Sequence, residues 1–317
     1  MDYLLFLQNL RGSLGSIFTT VLMYITDVAA GIVGMLVPAL IYWCIDKRAG
    51  TYMVMSFSFA AAINQTLKNI FCVYRPFVLD SRIIPLSNAI GGATGYSFPS
   101  GHVTMATSLY GSFAVWQRRK KWVVALCAFM TLLTAFARNL FGVHTLSDVA
   151  AAMLISLAVI FAVKLLLDVT EKKPKFDVVI SAAVIFITLI LLAFIEFKDY
   201  PLSHNPDGSL LVDPYNMKTD CYRTYGILSG SVIGWLAERR FVKFNTAGKK
   251  SRLVLRFTVG VVLLLALYLG ILPVVLGSLG DHWGKFLKYF ITFFTIIFVY
   301  PAVFTAFEKK RCTAGDE

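Results

Sequence analysis

The stretch VVISAAVIFITLILLAFIEF, residues Val178–Phe197, decides the fold class of this chain. It contains one ionisable side chain, Glu196, near its end. About 20 apolar residues in a helix span the roughly 30 Å hydrocarbon core of a bilayer. The whole chain of 317 residues is 57% hydrophobic, and its mean hydropathy is +0.70. A soluble domain of this length would not be so apolar, so the sequence predicts an integral membrane protein.

Similar apolar runs recur along the chain, and we predict about nine membrane-spanning helices. Helices are favoured over strands because the runs are continuous, and because unpaired backbone polar groups in lipid cost several kcal/mol each. The predicted fold class is therefore all-α, a polytopic transmembrane helix bundle. The predicted spans are Val28–Ile45, Met53–Phe71, Val103–Trp116, Trp122–Ala137, Leu146–Leu167, Val178–Phe197, Cys221–Leu236, Leu253–Leu272 and Phe286–Ala306.

The N-terminal residues 1–27 do not form a clean apolar run, because Gln8, Asn9 and Arg11 interrupt it. We predict an N-terminal amphipathic segment that lies on the membrane surface, with a poor tenth span as the alternative. The chain then divides into this interfacial segment (1–27), a helical core (28–170) and additional C-terminal transmembrane helices (171–317).

The net charge of +12 is sorted by loop. Of the 30 Lys and Arg residues, 19 fall in connections that alternate spans place on one side of the membrane. The positive-inside rule assigns that side, and the C-terminus with it, to the cytoplasm. We therefore expect contact with membrane lipids and no nucleic-acid partner. The 19 residues are Lys47, Arg48, Arg118, Arg119, Lys120, Lys121, Lys172, Lys173, Lys175, Arg239, Arg240, Lys243, Lys249, Lys250, Arg252, Arg256, Lys309, Lys310 and Arg311.

Three short polar motifs fall on the opposite side of the membrane. Each has a simpler explanation alone: a lysine at a helix end, a serine helix cap, or a local His–Asp pair. Together they supply three cations, two histidines and one carboxylate, which are the groups that phosphoryl transfer through a histidine needs. The motifs are Lys68-x6-Arg75-Pro76, Pro99-Ser100-Gly101-His102 and Arg138-x5-His144-x3-Asp148.

The spacing within the motifs supports this chemistry. His144 and Asp148 are four residues apart and share a helical face, so the carboxylate can orient the imidazole. Ser100 can cap a helix whose free N–H groups favour an anion, and Gly101 permits close backbone approach. Arg75 precedes a proline, which favours an extended backbone that folds back toward Lys68.

The connection at 77–98 is long for a loop between two spans and contains three glycines. We predict that it acts as a lid over the site or a gate for the substrate.

The three motifs, in this order, closely resemble the type 2 phosphatidic acid phosphatase superfamily, whose signature is K-x6-RP, PSGH and SR-x5-H-x3-D. Ala137 departs from the signature where the family usually has serine, which affects one phosphate-binding hydroxyl. The nine-span layout is similar to glucose-6-phosphatase and its bacterial relatives.

The resemblance implies a metal-independent phosphatase without cofactors, whose catalytic core is the segment 28–170. His144 would be the nucleophile that forms a phosphohistidine, His102 the general acid and base, and Asp148 the residue that holds His144. The implied phosphate-binding residues are Lys68, Arg75, Ser100, Gly101 and Arg138.

We expect the substrate to be a phosphorylated lipid, such as phosphatidate, a sphingoid-base phosphate or a polyprenyl diphosphate. The site would face the extracytoplasmic side of a bacterial cytoplasmic membrane. One alternative is a soluble sugar phosphate. Another is a non-catalytic transporter or scaffold, to which the polar residues Asn64 and Gln65 point weakly. The sequence leaves the oligomeric state open.

Overall fold

The structure is a computed structural model that describes residues 1–93, 95–205 and 207–313. The side chains of residues 309–313 lie outside the description, which therefore leaves out the charges of Lys309, Lys310 and Arg311. The last four residues of the predicted C-terminal segment, 314–317, also lie outside it, as does Thr94 in the predicted lid.

The described residues form α-helices and short turns, with no β-strand among them. Short π-helical or 3-10 segments extend several helices, at Ile41–Ile45, Glu238–Val242, Ala266–Ile271, Gly277–Leu279 and Thr295–Val299. The α-helices are α1 (Asp2–Asp27), α2 (Ile32–Leu40), α3 (Lys47–Phe71), α4 (Pro76–Leu79), α5 (Ser87–Ile90), α6 (Gly101–Trp116), α7 (Lys121–Leu140), α8 (Leu146–Lys172), α9 (Phe176–Phe197), α10 (Pro214–Ala237), α11 (Lys250–Leu265), α12 (Leu272–Leu276), α13 (Asp281–Phe294) and α14 (Tyr300–Thr313).

Several of these helices are long and apolar enough to cross a membrane, which confirms the all-α polytopic fold. Five stretches qualify by length and composition, and α1 with Ile32–Ile45 would add a sixth as a pair bent by 42°. Length and composition therefore identify five or six spans among the described residues, fewer than the nine predicted. The five are Lys121–Leu140, Leu146–Lys172, Phe176–Phe197, Lys250–Leu279 and Asp281–Glu308.

The three remaining predicted spans coincide with α3, α6 and α10, which are helical but do not qualify. Helix α6 has 16 residues, fewer than a straight crossing needs. Helices α3 and α10 contain more polar side chains, and those of α3 include Asn64, Gln65 and Lys68 of the motif region.

The N-terminal segment is one helix, α1, with a break at Gly15, where φ is +79°. Several of its apolar side chains are exposed, among them Ile17 and Tyr24. It packs mainly against α7, and Leu22 joins a buried apolar cluster with Leu140 and Phe141. Its placement on the membrane surface stays a prediction.

The described chain forms two compact units. The first comprises residues 1–34, 59–162 and 194–221, and it contains every residue of the three motifs. Helix α6 packs along α7 in this unit. The second comprises residues 35–58, 163–193 and 222–317. The predicted boundaries at residues 27 and 170 stay a prediction.

In the second unit, α10 packs closely against α13 through a glycine stripe, Gly226, Gly230 and Gly234. A Cβ atom at Gly230 would lie 2.4 Å from the backbone oxygen of Phe290, so only glycine fits at this spacing. Small residues four apart are a common way for membrane helices to approach each other.

Three of the basic connections meet in the second unit. At the start of α3, Arg48 pairs with Asp168 at 2.7 Å and with Glu171 at 2.9 Å, and Lys47 pairs with Glu238 at 2.6 Å. The guanidinium of Arg239 donates to the Thr170 carbonyl at 3.1 Å. The start of α3 and the ends of α8 and α10 therefore lie together, as the positive-inside assignment requires of these three connections.

Candidate active site

The pair His144–Asp148 lies where α7 gives way to α8. Gly142, at φ +73°, turns the chain after α7, so that His144 lies in the connection and Asp148 in the first turn of α8. Nδ1 of His144 lies 3.5 Å from Oδ2 of Asp148. Both residues are 2% exposed. The predicted pairing at a spacing of four is present, in a buried setting where an oriented imidazole is shielded from water.

Arg75 determines which nitrogen of His144 carries the proton. Its Nη1 lies 3.0 Å from the Val143 carbonyl and 3.1 Å from Nε2 of His144. A guanidinium can only donate, so Nε2 accepts through its lone pair. We therefore assign the proton to Nδ1, which faces Asp148. Nε2 is then the unprotonated nitrogen, whose lone pair can attack phosphorus once a substrate takes the place of the hydrogen bond from Arg75.

Burial and charge favour the neutral imidazole. Burial lowers the pKa of His144 well below its ordinary value, and the positive charge of Arg75 lowers it further. Burial also lowers the pKa of Arg75 to about 10, while the charge of Asp148 opposes that shift. Arg75 is thus charged and His144 neutral at neutral pH.

Ser97 is a third member of this cluster that the sequence analysis missed. Its hydroxyl donates to Oδ2 of Asp148 at 2.5 Å and lies 3.3 Å from Nδ1 of His144. The backbone N–H of Thr145 donates to the same carboxylate oxygen at 2.7 Å. The carboxylate is therefore fixed by two donors besides the imidazole.

The first motif holds the connection 77–98 in place. The ammonium of Lys68 donates to the carbonyls of Tyr96 at 2.6 Å and Ser97 at 3.3 Å. Nε of Arg75 donates to the Gly95 carbonyl at 2.9 Å. Arg75 has the extended backbone predicted for a residue before Pro76, with ψ at 153°. Lys68 and Arg75 therefore hold the backbone of residues 95–97, near the C-terminal end of the predicted lid.

Lys68, the lysine at the helix end, is buried. The two carbonyls replace the water that an exposed ammonium would have, which makes this burial tolerable. Lys68 lies beside the His144 cluster through Ser97 without a direct contact to His144 among the hydrogen bonds described.

The second motif begins α6, with Ser100 at the N-cap position. The Ser100 N–H donates to the backbone oxygen of Asp148 at 3.1 Å, which ties this turn to the third motif. Asn64 on α3 donates to the Pro99 carbonyl at 3.2 Å and to the Thr104 hydroxyl at 2.8 Å. The predicted helix start is thus held from both sides.

Gly101 and Ala137 have different surroundings. A Cβ at Gly101 would meet only Oδ1 of Asn64, at 3.9 Å, so packing within the protein does not demand glycine there. Ala137 occupies the position where the family that the sequence resembles usually has serine. It is fully buried in the apolar cluster of Leu140 and Phe141.

The remaining two predicted residues, Arg138 and His102, share a partner on α1. Nη2 of Arg138 donates to Oδ1 of Asp27 at 2.6 Å and to the Thr26 hydroxyl at 3.3 Å. Nε2 of His102 lies 3.4 Å from the same carboxylate oxygen. The Cβ position of Gly92 lies 3.4 Å from Cε1 of His102, so the connection 77–98 also reaches this ring.

Backbone bonds connect the segments that carry these two groups of residues. The Val143 N–H donates to the Arg138 carbonyl at 3.3 Å, and Val143 in turn accepts from Arg75. The buried atoms Ser100 Oγ and Arg138 Nε have no hydrogen-bond partner among the described residues. Two buried donors of this kind suit an anionic ligand.

No group of three or more His, Cys, Asp and Glu side chains among the described residues could hold a metal ion. The cations of the three motifs are instead the positive groups of the site.

Comparison with known families adds the decisive observation. Residues 49–172 match the PAP2 superfamily, and residues 222–311 match the family described as PAP2 superfamily phosphatase, transmembrane extension. The chain belongs to the PAP2 superfamily. The first match contains all three motifs of this PAP2 protein, and the second covers α10 to α14 in large part. No curated protein and no solved structure matches the chain.

Members of the PAP2 superfamily are phosphatases, and the transmembrane extension is itself described as part of a phosphatase. The protein is therefore a membrane phosphatase. The predicted family and the predicted integral membrane nature are both confirmed.

Proposed function

We propose that the protein hydrolyses a lipid phosphate at the extracytoplasmic membrane face through a phosphohistidine on His144. The observation that supports this most strongly is the orientation of His144. Arg75 lies against Nε2 and Asp148 against Nδ1–H, so a neutral imidazole presents a lone pair beside a fixed cation.

In the first step, the Nε2 lone pair of His144 attacks phosphorus, and the bond between phosphorus and the leaving oxygen breaks. The leaving oxygen takes a proton from the protonated ring of His102, so an alcohol departs and His102 becomes neutral. Asp148 stabilises the positive charge that develops on the His144 ring. Arg75 and Arg138 stabilise the equatorial oxygens, together with the Ser100 hydroxyl.

In the second step, water attacks the phosphorus of the phosphohistidine while neutral His102 takes a proton from it. The P–N bond breaks, and its electron pair returns to Nε2 of His144. Orthophosphate leaves, His102 is protonated again, and the enzyme returns to its starting state. Lys68 supports both steps by holding the backbone of Tyr96 and Ser97, and its positive charge adds to the field at the site.

Apolar side chains around the site support a lipid substrate. Leu146, two residues after His144, is 64% exposed, and Tyr24, one turn before Asp27, is 69% exposed. Ile90, two residues before Gly92, is also exposed. An amphiphile could keep its chains against these side chains in the bilayer while its phosphate enters the site. A soluble sugar phosphate gains nothing from them.

The charge distribution supports the orientation. The basic connections of α3, α8 and α10 lie together, and the positive-inside rule assigns them to the cytoplasm. The motifs fall at the opposite ends of the predicted spans, which supports a site on the extracytoplasmic side.

The test is a phosphate-release panel with purified protein in detergent, with and without chelator. The substrates are phosphatidate, a sphingoid-base phosphate, a polyprenyl diphosphate and glucose 6-phosphate. We expect lipid phosphates to be hydrolysed fastest, with no effect of the chelator. Variant His144→Ala should release no phosphate although it folds, as judged by an unchanged elution profile and helix content.

Each other outcome has a distinct meaning. Preference for glucose 6-phosphate would replace the lipid substrate by a sugar phosphate. Full activity of His144→Ala would refute the phosphohistidine. Absence of vanadate-sensitive activity from the pure protein on all substrates would favour a transporter or scaffold.

A further inference from the structure

We infer that Asp27, at the end of the N-terminal helix, is a positioning residue for catalysis, since its carboxylate holds both Arg138 and His102. This inference rests on the proposed function, because it assigns Asp27 a task in the leaving-group step. It also makes the C-terminal end of α1 part of the active site.

The geometry places one carboxylate oxygen between two motif residues. Oδ1 of Asp27 accepts from Nη2 of Arg138 at 2.6 Å and lies 3.4 Å from Nε2 of His102. Arg138 and His102 come from different motifs, at the end of α7 and the start of α6. Asp27 is therefore the contact through which these two side chains are set relative to each other.

Arg138 gains from this arrangement in a way that an anion site can use. Its side chain is 3% exposed, so an unpaired guanidinium would be costly there. Asp27 accepts from Nη2, and the Nε atom keeps no partner among the described residues. The guanidinium is thus held through Nη2, and its Nε–H remains to donate to a phosphate oxygen.

His102 gains an oriented ring. A carboxylate beside one ring nitrogen fixes the imidazole plane and favours a proton on that nitrogen, as Asp148 does for His144. The two catalytic histidines then each have a carboxylate partner. Asp148 lies within the family match at residues 49–172, whereas Asp27 lies outside it.

The position of Asp27 also explains its exposure. Its side chain is 43% exposed, while that of His102 is 21% exposed and that of Arg138 is 3% exposed. The carboxylate is therefore the most exposed of the three side chains. A carboxylate placed only to anchor α1 would not need to contact the acid–base histidine.

The experiment compares two substrates in wild type, Asp27→Asn and Asp27→Glu. One substrate is an alkyl phosphate, whose leaving alcohol needs a proton from His102. The other is 4-nitrophenyl phosphate, whose leaving group departs without one. The parameter is kcat/KM, because it reports the steps through departure of the leaving group. Vanadate inhibition is measured in parallel, and Asp207→Asn is the control.

We expect Asp27→Asn to lose about 10- to 100-fold in kcat/KM on the alkyl phosphate, part of what a general acid contributes. The loss on 4-nitrophenyl phosphate should be under about 3-fold, since acid catalysis matters little there. Vanadate inhibition should change less than about 10-fold, because the amide oxygen of the Asp27→Asn variant can still accept from Nη2 of Arg138. Asp27→Glu should recover part of the activity. The control should behave as wild type, since the described hydrogen bonds of the Asp207 side chain go to Ser209 in the same exposed turn.

Equal losses on both substrates, or vanadate inhibition at least 10-fold weaker, would show that Asp27 only maintains the fold, and would overturn the inference. So would an Asp27→Asn variant with wild-type kinetics. Wild-type protein that releases no phosphate from either substrate would instead refute the proposed function, and the inference would fall with it.

Discussion

Replacing Asp148 by asparagine tests the phosphohistidine mechanism at its most charge-dependent point. The substitution keeps the size of the side chain, and the amide oxygen can still accept from Thr145 and Ser97. What disappears is the negative charge 3.5 Å from Nδ1 of His144. That charge matters little to a neutral ring but strongly to the positively charged ring formed when Nε2 bonds to phosphorus.

The magnitude follows from the distance. Two unit charges 3.5 Å apart interact by about 5 kcal/mol at an effective dielectric constant of about 20. At about 1.4 kcal/mol per tenfold change, this corresponds to a loss of roughly 10³- to 10⁴-fold in rate. Because the stabilisation arises only as the transition state forms, Asp148→Asn should lower kcat and leave KM nearly unchanged.

The assay is the initial rate of phosphate release from a lipid phosphate in detergent, over a range of substrate concentrations. Variant Asp168→Asn is the matched control, because Asp168 lies on the same helix α8 and forms an exposed ion pair with Arg48. We expect the control to retain nearly full activity. A loss of less than about 10-fold for Asp148→Asn, or a loss confined to KM, would refute the reasoning.

Three further predictions concern single positions. Ser97→Ala removes the 2.5 Å hydrogen bond to Asp148, so kcat should fall about 10- to 100-fold, as for other bonds to charged groups; more than half of wild-type activity would contradict this. Gly230→Ala places a Cβ 2.4 Å from the Phe290 oxygen and should cost about 1–3 kcal/mol, so an unchanged melting temperature in detergent would be the opposing result. The pKa of His144 is lowered on folding, so the unfolded chain takes up a proton there as pH falls below about 6.5, while the folded chain does not. The melting temperature of wild type should therefore drop more between pH 7.5 and 5.5 than that of His144→Gln. Parallel melting curves of the two proteins over this pH range would contradict the prediction.

Local spacing made much of the site predictable. The four-residue separation of His144 and Asp148 predicted their contact, which the structure confirms. The helical face predicted for the pair is not present, since His144 lies in the connection before α8. The proline after Arg75 predicted its extended backbone, which the structure confirms. These predictions succeed because they depend on a few neighbouring residues.

Contacts between distant segments were not predictable in the same way. Ser97 and Asp27 reach Asp148 and Arg138 across 51 and 111 residues, and neither stands in a recognisable spacing with its partner. The available signals were weak: Ser97 lies two residues before the Pro99 motif, and Asp27 is a carboxylate at the end of an apolar run. The carbonyl partner of Lys68 belongs to a later connection, so it was not predictable from the place of Lys68 at a helix end.

The number of spans shows a different limit. Apolar runs locate helices well, and each predicted span coincides with helical residues in the structure. Whether α3, α6 and α10 cross the membrane depends on polar side chains that neighbouring helices cover, and composition alone does not report this.

The most direct measurement is to trap the covalent intermediate. Wild-type protein is mixed with a phosphorus-labelled lipid phosphate, denatured in alkali to preserve phosphohistidine, and digested for mass spectrometry. The proposed mechanism predicts phosphate on the peptide that contains His144, and none in His144→Ala. Label on His102 instead, or an active enzyme whose rapidly quenched reaction carries no phosphate on protein, would contradict it.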